Sequence, residues 1–121
     1  MTQNAELNSV ARKKLYELKL FDFLKDGYVV LAASGRPFSP KNCTRSYTRW
    51  QWNLHVHNKK LARGEKAVLV KLGKNEEIVE LFVLPKSATG TRKTVAVYTS
   101  DNGTITSGWL RKYSYPVPSS L

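Results

Sequence analysis

Acidic side chains are scarce in this chain. Nine Asp plus Glu stand against 20 Lys plus Arg, a formal charge of +11 over 121 residues. They are also unevenly spread. None occurs between Asp26 and Glu65, an interval that holds Arg36, Lys41, Arg45, Arg49, Lys59, Lys60 and Arg63. Such a balance says nothing of fold, but it draws polyanions to the surface. Nucleic acid is the commonest of these, with anionic membrane surfaces and acidic proteins as rivals. Colloidal stability alone needs only about half this charge. Cysteine is nearly absent: Cys43 stands alone, which excludes an intramolecular disulfide and fits a reducing compartment. No apolar run approaches the ~18 residues of a membrane span. The polar start, Met1 to Asn8, lacks the apolar core of a signal peptide. A cytoplasmic (intracellular) protein without membrane insertion is expected. No P-loop, dinucleotide fingerprint, Ser/His/Asp order or zinc cysteine set is present, so no cofactor is expected.

Hydrophobic residues make up 41% of the chain, enough for a packed core. The length suits one domain, 1–121. Residues 5–26 read as a helix. Leu7, Ala11, Leu15 and Leu18 recur on one face, widened by Val10 and Phe21. Asn4 or Ser9 would cap its start and Gly27 would end it. From Tyr28 onward, to about residue 112, the pattern is that of strands. Tyr28 to Ala33 is a continuous apolar run, as in a central buried strand. Ser34 to Ser46 reads as a long loop, marked by Gly35, Pro37 and Pro40. Tyr47 to His57 is a strand, and Ala67 to Leu72 and Glu77 to Leu84 form a hairpin around Gly73-Lys74-Asn75. Thr94 to Thr99 and Thr104 to Arg111 form another around Asp101-Asn102-Gly103. The tail, 113–121, holds Pro116 and Pro118 and reads as irregular. The expected class is α+β: an N-terminal amphipathic helix packed on a curved, mainly antiparallel sheet or half-barrel of about five to six strands. A small closed barrel is the alternative.

The stretch Tyr47 to His57 separates cleanly with period two. Trp50, Trp52, Leu54 and Val56 share one face, which is core-like. Tyr47, Arg49, Gln51, Asn53, His55 and His57 share the other, spaced about 6.6 Å apart along the strand. That row can bond phosphates, riboses or base edges. A plain solvent face would more often hold Lys, Glu and Thr. In the basic loop, Arg36, Lys41 and Arg45 stand beside Phe38 and Tyr47. Single-stranded nucleic acid needs this combination, since bases stack on rings while cations follow the backbone. Lys59 and Lys60, and Arg92 and Lys93 further on, are weaker basic sites. The expected function is therefore nucleic-acid binding, single-stranded RNA or DNA favoured. Arg36, Lys41, Arg45 and Arg49 would hold phosphates, Tyr47 and Phe38 would stack, and Gln51, Asn53, His55 and His57 would make hydrogen bonds.

Three other readings use the same residues. His55-Val56-His57 places two imidazoles on one strand face, where they could hold a divalent metal. It resembles the metal-binding motif of HUH single-strand endonucleases. That resemblance covers three residues and implies a tyrosine nucleophile on a helix and a third ligand. The tyrosines after the motif are Tyr98, Tyr113 and Tyr115, and none falls in an evident helix. A metal-independent ribonuclease would instead pair His55 or His57 with Arg49 and with Glu65 or Glu80. An interaction protein or inhibitor would dock on an acidic protein. A half-open sheet also invites edge-to-edge homodimers.

Overall fold

Two stretches of the chain are apolar at nearly every position because both of their faces are covered. They are strands β1 (Tyr28–Ser34) and β4 (Lys66–Leu72), paired in parallel within a four-stranded sheet of order β1-β4-β5-β7. Strands β5 (Ile78–Leu84) and β7 (Ser114–Tyr115) complete that sheet, each antiparallel to its neighbour. A second sheet is three-stranded and antiparallel, of order β2-β3-β6, from β2 (Arg36–Phe38), β3 (Tyr47–Asn53) and β6 (Thr94–Ser100). Helix α1 (Thr2–Glu17) lies on one face of the four-stranded sheet and the three-stranded sheet on the other. Short helices α2 (Asn58–Ala62) and α3 (Lys86–Thr89) join the strands. The computed structural model of the chain describes residues 2–39, 46–54, 58–89, 93–100 and 108–117. Among these, no helix is long and apolar enough to cross a membrane.

The core accordingly has two halves. Ala11, Leu15, Phe23, Val30, Val68, Val70 and Leu81 pack between α1 and the central sheet. Val29, Leu31, Trp50, Trp52, Leu69, Phe82, Val95 and Val97 pack between the two sheets. The chain changes sheets at Gly35, the single residue between β1 and β2. A Cβ there would fall 2.8 Å from Thr48 Cγ2 and 2.9 Å from the Trp50 ring, so only glycine lets β3 come this close. Strand β1 is an edge strand, and Asn8 of α1 blocks that edge. Its Oδ1 accepts the Ala32 N–H at 2.8 Å, which stands against edge-to-edge pairing there.

The class is α+β with an N-terminal helix packed on a sheet, as the sequence indicates. The strands divide between two sheets, and neither closes into a barrel. Several boundaries differ from expectation. Helix α1 ends at Glu17 and does not run to residue 26. Asn4 and Ser9 lie inside it and not at its start. The Leu20 N–H donates to Leu15 O at 2.9 Å and the Lys19 N–H to Tyr16 O at 3.0 Å. With Lys19 at φ 61°, this is a Schellman stop built without glycine. A 3-10 turn, Phe21–Leu24, then carries Phe23 into the core. Strand β2 lies within the stretch expected to be a loop, and α3 lies between β5 and β6. Residues 108–111, expected to end a strand, belong to a 3-10 turn, Gly108–Tyr113. The hairpin turn expected at Asp101-Asn102-Gly103 lies outside the described residues. Ser114 and Tyr115, expected to be irregular, pair with Phe82 and Leu81.

The Lys19 stop has a measurable consequence. A side chain in the left-handed region is disfavoured by about 1 kcal/mol. Lys19→Gly should therefore raise stability by about that amount, read as a higher Tm and a higher urea midpoint with unchanged far-ultraviolet dichroism. An unchanged or lower midpoint would mean that the Schellman geometry is not what ends the helix.

Candidate functional site

Strand β3 sets the site because its alternation is fixed from inside. Trp50 and Trp52 point at the central sheet and are 8% and 2% exposed. Their indole N–H groups donate to Leu72 O at 3.3 Å and Val70 O at 3.2 Å. With these two rings anchored, Tyr47, Arg49, Gln51 and Asn53 must face away from the core. Arg49 and Tyr47 are half-buried there, and Gln51 and Asn53 are exposed.

Strand pairing adds two more rows to this outer face. Arg36 lies opposite Arg49 and Phe38 opposite Tyr47. On the other flank Tyr98 lies opposite Arg49, Ala96 opposite Gln51 and Thr94 opposite Asn53. The Phe38 and Tyr98 rings meet with centroids 5.3 Å apart, tilted by 52°. The Arg49 guanidinium carbon sits 5.4 Å from the centre of the Phe38 ring. A half-exposed pair of aromatic rings thus has the Arg49 guanidinium against it, with Arg36 in register opposite Arg49. None of the residues of β2, β3 or β6 is Asp or Glu. Among the described residues, neither Arg36 nor Arg49 is paired with a carboxylate.

Tyr47, Arg49, Gln51 and Asn53 share one face, as the sequence pattern indicates, and Arg36 and Phe38, expected in a loop, join it through β2. Lys93 is exposed at the end of that sheet where β6 begins, its carbonyl accepting the Leu54 N–H at 2.8 Å. Lys59 and Lys60 are exposed on α2, outside the three-stranded sheet. Lys41, Arg45, His55, His57 and Arg92 lie outside the described residues. Of the tyrosines implied by the HUH resemblance, Tyr98 is on β6, Tyr113 ends a 3-10 turn and Tyr115 is on β7. Of the ribonuclease grouping, His55 and His57 lie outside the described residues, and the two glutamates have other partners. Glu65 is bonded to Arg63 at 3.1 Å. Glu80 is bonded to Lys71 at 2.9 Å, on the inner side of the sheet that bears Arg49.

Two residues were not singled out by the sequence pattern. Tyr98 belongs to the ring pair, and its signal was the alternation Val95, Val97 inward against Ala96, Tyr98 outward. Placing it beside Phe38 requires the strand order. Lys71 is the second. It is 2% exposed between the sheets. Its Nζ lies 2.9 Å from Glu80 Oε1, 3.5 Å from Thr99 Oγ1 and 4.0 Å from the centre of the Trp50 ring. The ammonium thus holds Trp50 from one side while Leu72 O holds its N–H, and β3 cannot rotate.

No protein-family model matches the chain, and no curated protein and no solved structure is significantly similar to it.

Removing one member of the Lys71–Glu80 pair leaves a buried charge without its partner. Glu80→Ala should cost roughly 3 kcal/mol, whereas Lys71→Met with Glu80→Leu should recover most of that loss. Urea unfolding of both variants checks this. Equal losses in the two would show that the ion pair itself, and not the uncompensated lysine, carries the effect.

Proposed function

We propose that the outer face of the three-stranded sheet binds single-stranded nucleic acid, as a recognition surface without chemistry of its own. The observation that carries this reading is the placement of Arg36 directly opposite Arg49. Like charges directly opposite across strands destabilise a sheet. Here no carboxylate among the described residues relieves them. A phosphate between the two guanidiniums would relieve both, and Arg is suited to phosphate by its forked donors.

The surrounding chemistry supports the same ligand. Phe38 and Tyr98 offer half-exposed rings on which a base can stack, and Gln51 and Asn53 offer amide donors and acceptors beside them. The face is about 20 Å long, seven residues of β3 at the strand rise, which accommodates about three nucleotides of an extended chain. Single-stranded ligands suit it better than a duplex. Bases inside a helix cannot reach rings set in a sheet, and duplex readers usually present a recognition helix. Exposed Lys93 would extend the path of the backbone beyond Asn53, and the basic residues 41, 45 and 92 would add charge to the same ligand.

Fluorescence anisotropy with labelled single-stranded RNA, single-stranded DNA and duplex DNA across a salt series tests the reading. Arg36→Ala with Arg49→Ala should lower the slope of log affinity against log salt by about 1.4, for two lost phosphate contacts. Tyr98→Ala should weaken binding by roughly 1–3 kcal/mol while leaving that slope unchanged. Tight binding that ignores all three substitutions would move the site elsewhere. No binding at low salt would defeat the reading and bring an acidic protein partner forward. Cleaved probe on a denaturing gel would shift attention to His55 and His57.

A further inference from the structure

A cavity of about 590 Å³ opens where the chain crosses from the central sheet to the outer one. It lies at the Tyr47 end of the proposed binding face, and Tyr47 is one of its walls. Its size falls within the range of small-molecule sites, about 300–1,000 Å³. Its lining includes the apolar residues Trp50, Leu72, Leu7 and Pro37. Ser34 and Thr48 also line it, as do Lys74 and Glu76, two residues of opposite charge from the β4–β5 turn.

Trp50 is preorganised as a wall of this cavity. Its N–H is tied to Leu72 O at 3.3 Å, and Lys71 sits 4.0 Å from the ring centre. Gly35, also in the lining, lets the Trp50 ring approach the backbone more closely than any side chain would allow. Trp50 is only 8% exposed, so it offers the cavity a fixed edge and not an open ring face, and a fixed edge needs no ordering when a ligand arrives.

We propose that this cavity receives the terminal nucleotide of a strand lying on the outer sheet face, so that the protein recognises a chain end. The proposal rests on the single-strand reading above. The chemistry of the cavity fits one nucleotide. A base is a flat body with an apolar surface and polar edges, which suits a lining that mixes Leu7, Pro37 and the Trp50 edge with Ser34 and Thr48. The Glu76 carboxylate accepts from base N–H donors, and the Lys74 ammonium attracts phosphate. Continuity through Tyr47 links the cavity to the face, so the next nucleotides would run along β3 past Phe38 and Arg49. A chain passing through without an end would have to leave past the β4–β5 turn.

The test compares linear and circular single-stranded oligonucleotides of equal length and sequence, with nucleoside monophosphates titrated separately against tryptophan fluorescence. Wild type should prefer the linear form by about fivefold or more, the lower end of one stacked base. Lys74→Glu and Glu76→Lys sit on the exposed turn and should remove that preference while leaving circular oligonucleotides bound as before. Arg49→Ala should weaken both forms alike. Equal affinity for linear and circular forms, or a preference untouched by the turn variants, would overturn the cavity assignment and leave the face reading intact. If neither oligonucleotide binds, the face reading fails, and the monophosphates decide the cavity. Quenching that Glu76→Lys changes would support a nucleotide site, and no quenching would overturn it.

Discussion

Burial of β4 on both faces is the constraint on which the other layers depend. Ala67 and Leu69 belong to the core between the sheets, and Val68, Val70 and Leu72 to the core under α1. A strand covered on both sides needs a helix on one face and a second sheet or helix on the other. Here the second cover is held in register by hydrogen bonds to the strand's own carbonyls. Val70 O and Leu72 O are two residues apart, and they accept the indoles of Trp52 and Trp50, which are also two residues apart. A carbonyl has two lone pairs, so it can take a side-chain donor in addition to its sheet bond. The two tryptophans therefore fix both the position of β3 and the face it turns outward.

That fixing explains why charge ends up segregated. Among the described residues, four carboxylates are engaged away from the outer sheet. Glu17 meets Lys14, Asp22 meets Lys25 and Glu65 meets Arg63 at the periphery, and Glu80 meets Lys71 between the sheets. The Lys71 charge is neutralised where it sits, so it adds little to the field on the far side of β3. The positive potential of the outer face comes from Arg36 and Arg49. Both lie on short, well-defined strands, which places them better than loop cations could be placed.

The parts legible in the sequence were those fixed by local period. The alternation of Tyr47 to Asn53 was legible because one face is buried against tryptophans and the other is polar. The β4–β5 hairpin was legible from Gly73-Lys74-Asn75 between two apolar runs. The continuous run of Tyr28 to Ala33 correctly marked two covered faces but not a central place, since β1 is at the sheet edge with Asn8 closing it. What escaped the sequence depends on non-local order. Tyr98 joins Phe38 across β3, which no local pattern encodes. Lys71 sits in an apolar strand whose alternation gives no warning of a buried ion pair. The end of α1 was hidden because a lysine occupies a conformation usually signalled by glycine.

On the proposed reading, the opposed arginines tie stability to binding. In the absence of a polyanion the pair raises the free energy of the folded sheet, since two cations face each other across β2 and β3 with no carboxylate among the described residues between them. An anion that binds only the folded state lowers that energy, and it does so more than it would for a sheet with neutral residues there. A surface selected for stability alone would carry an opposite-charge or β-branched pair at this position. Keeping two arginines in register instead, one of them against the Phe38 ring, is the arrangement that the proposed anionic, aromatic ligand would account for, with stability traded for binding.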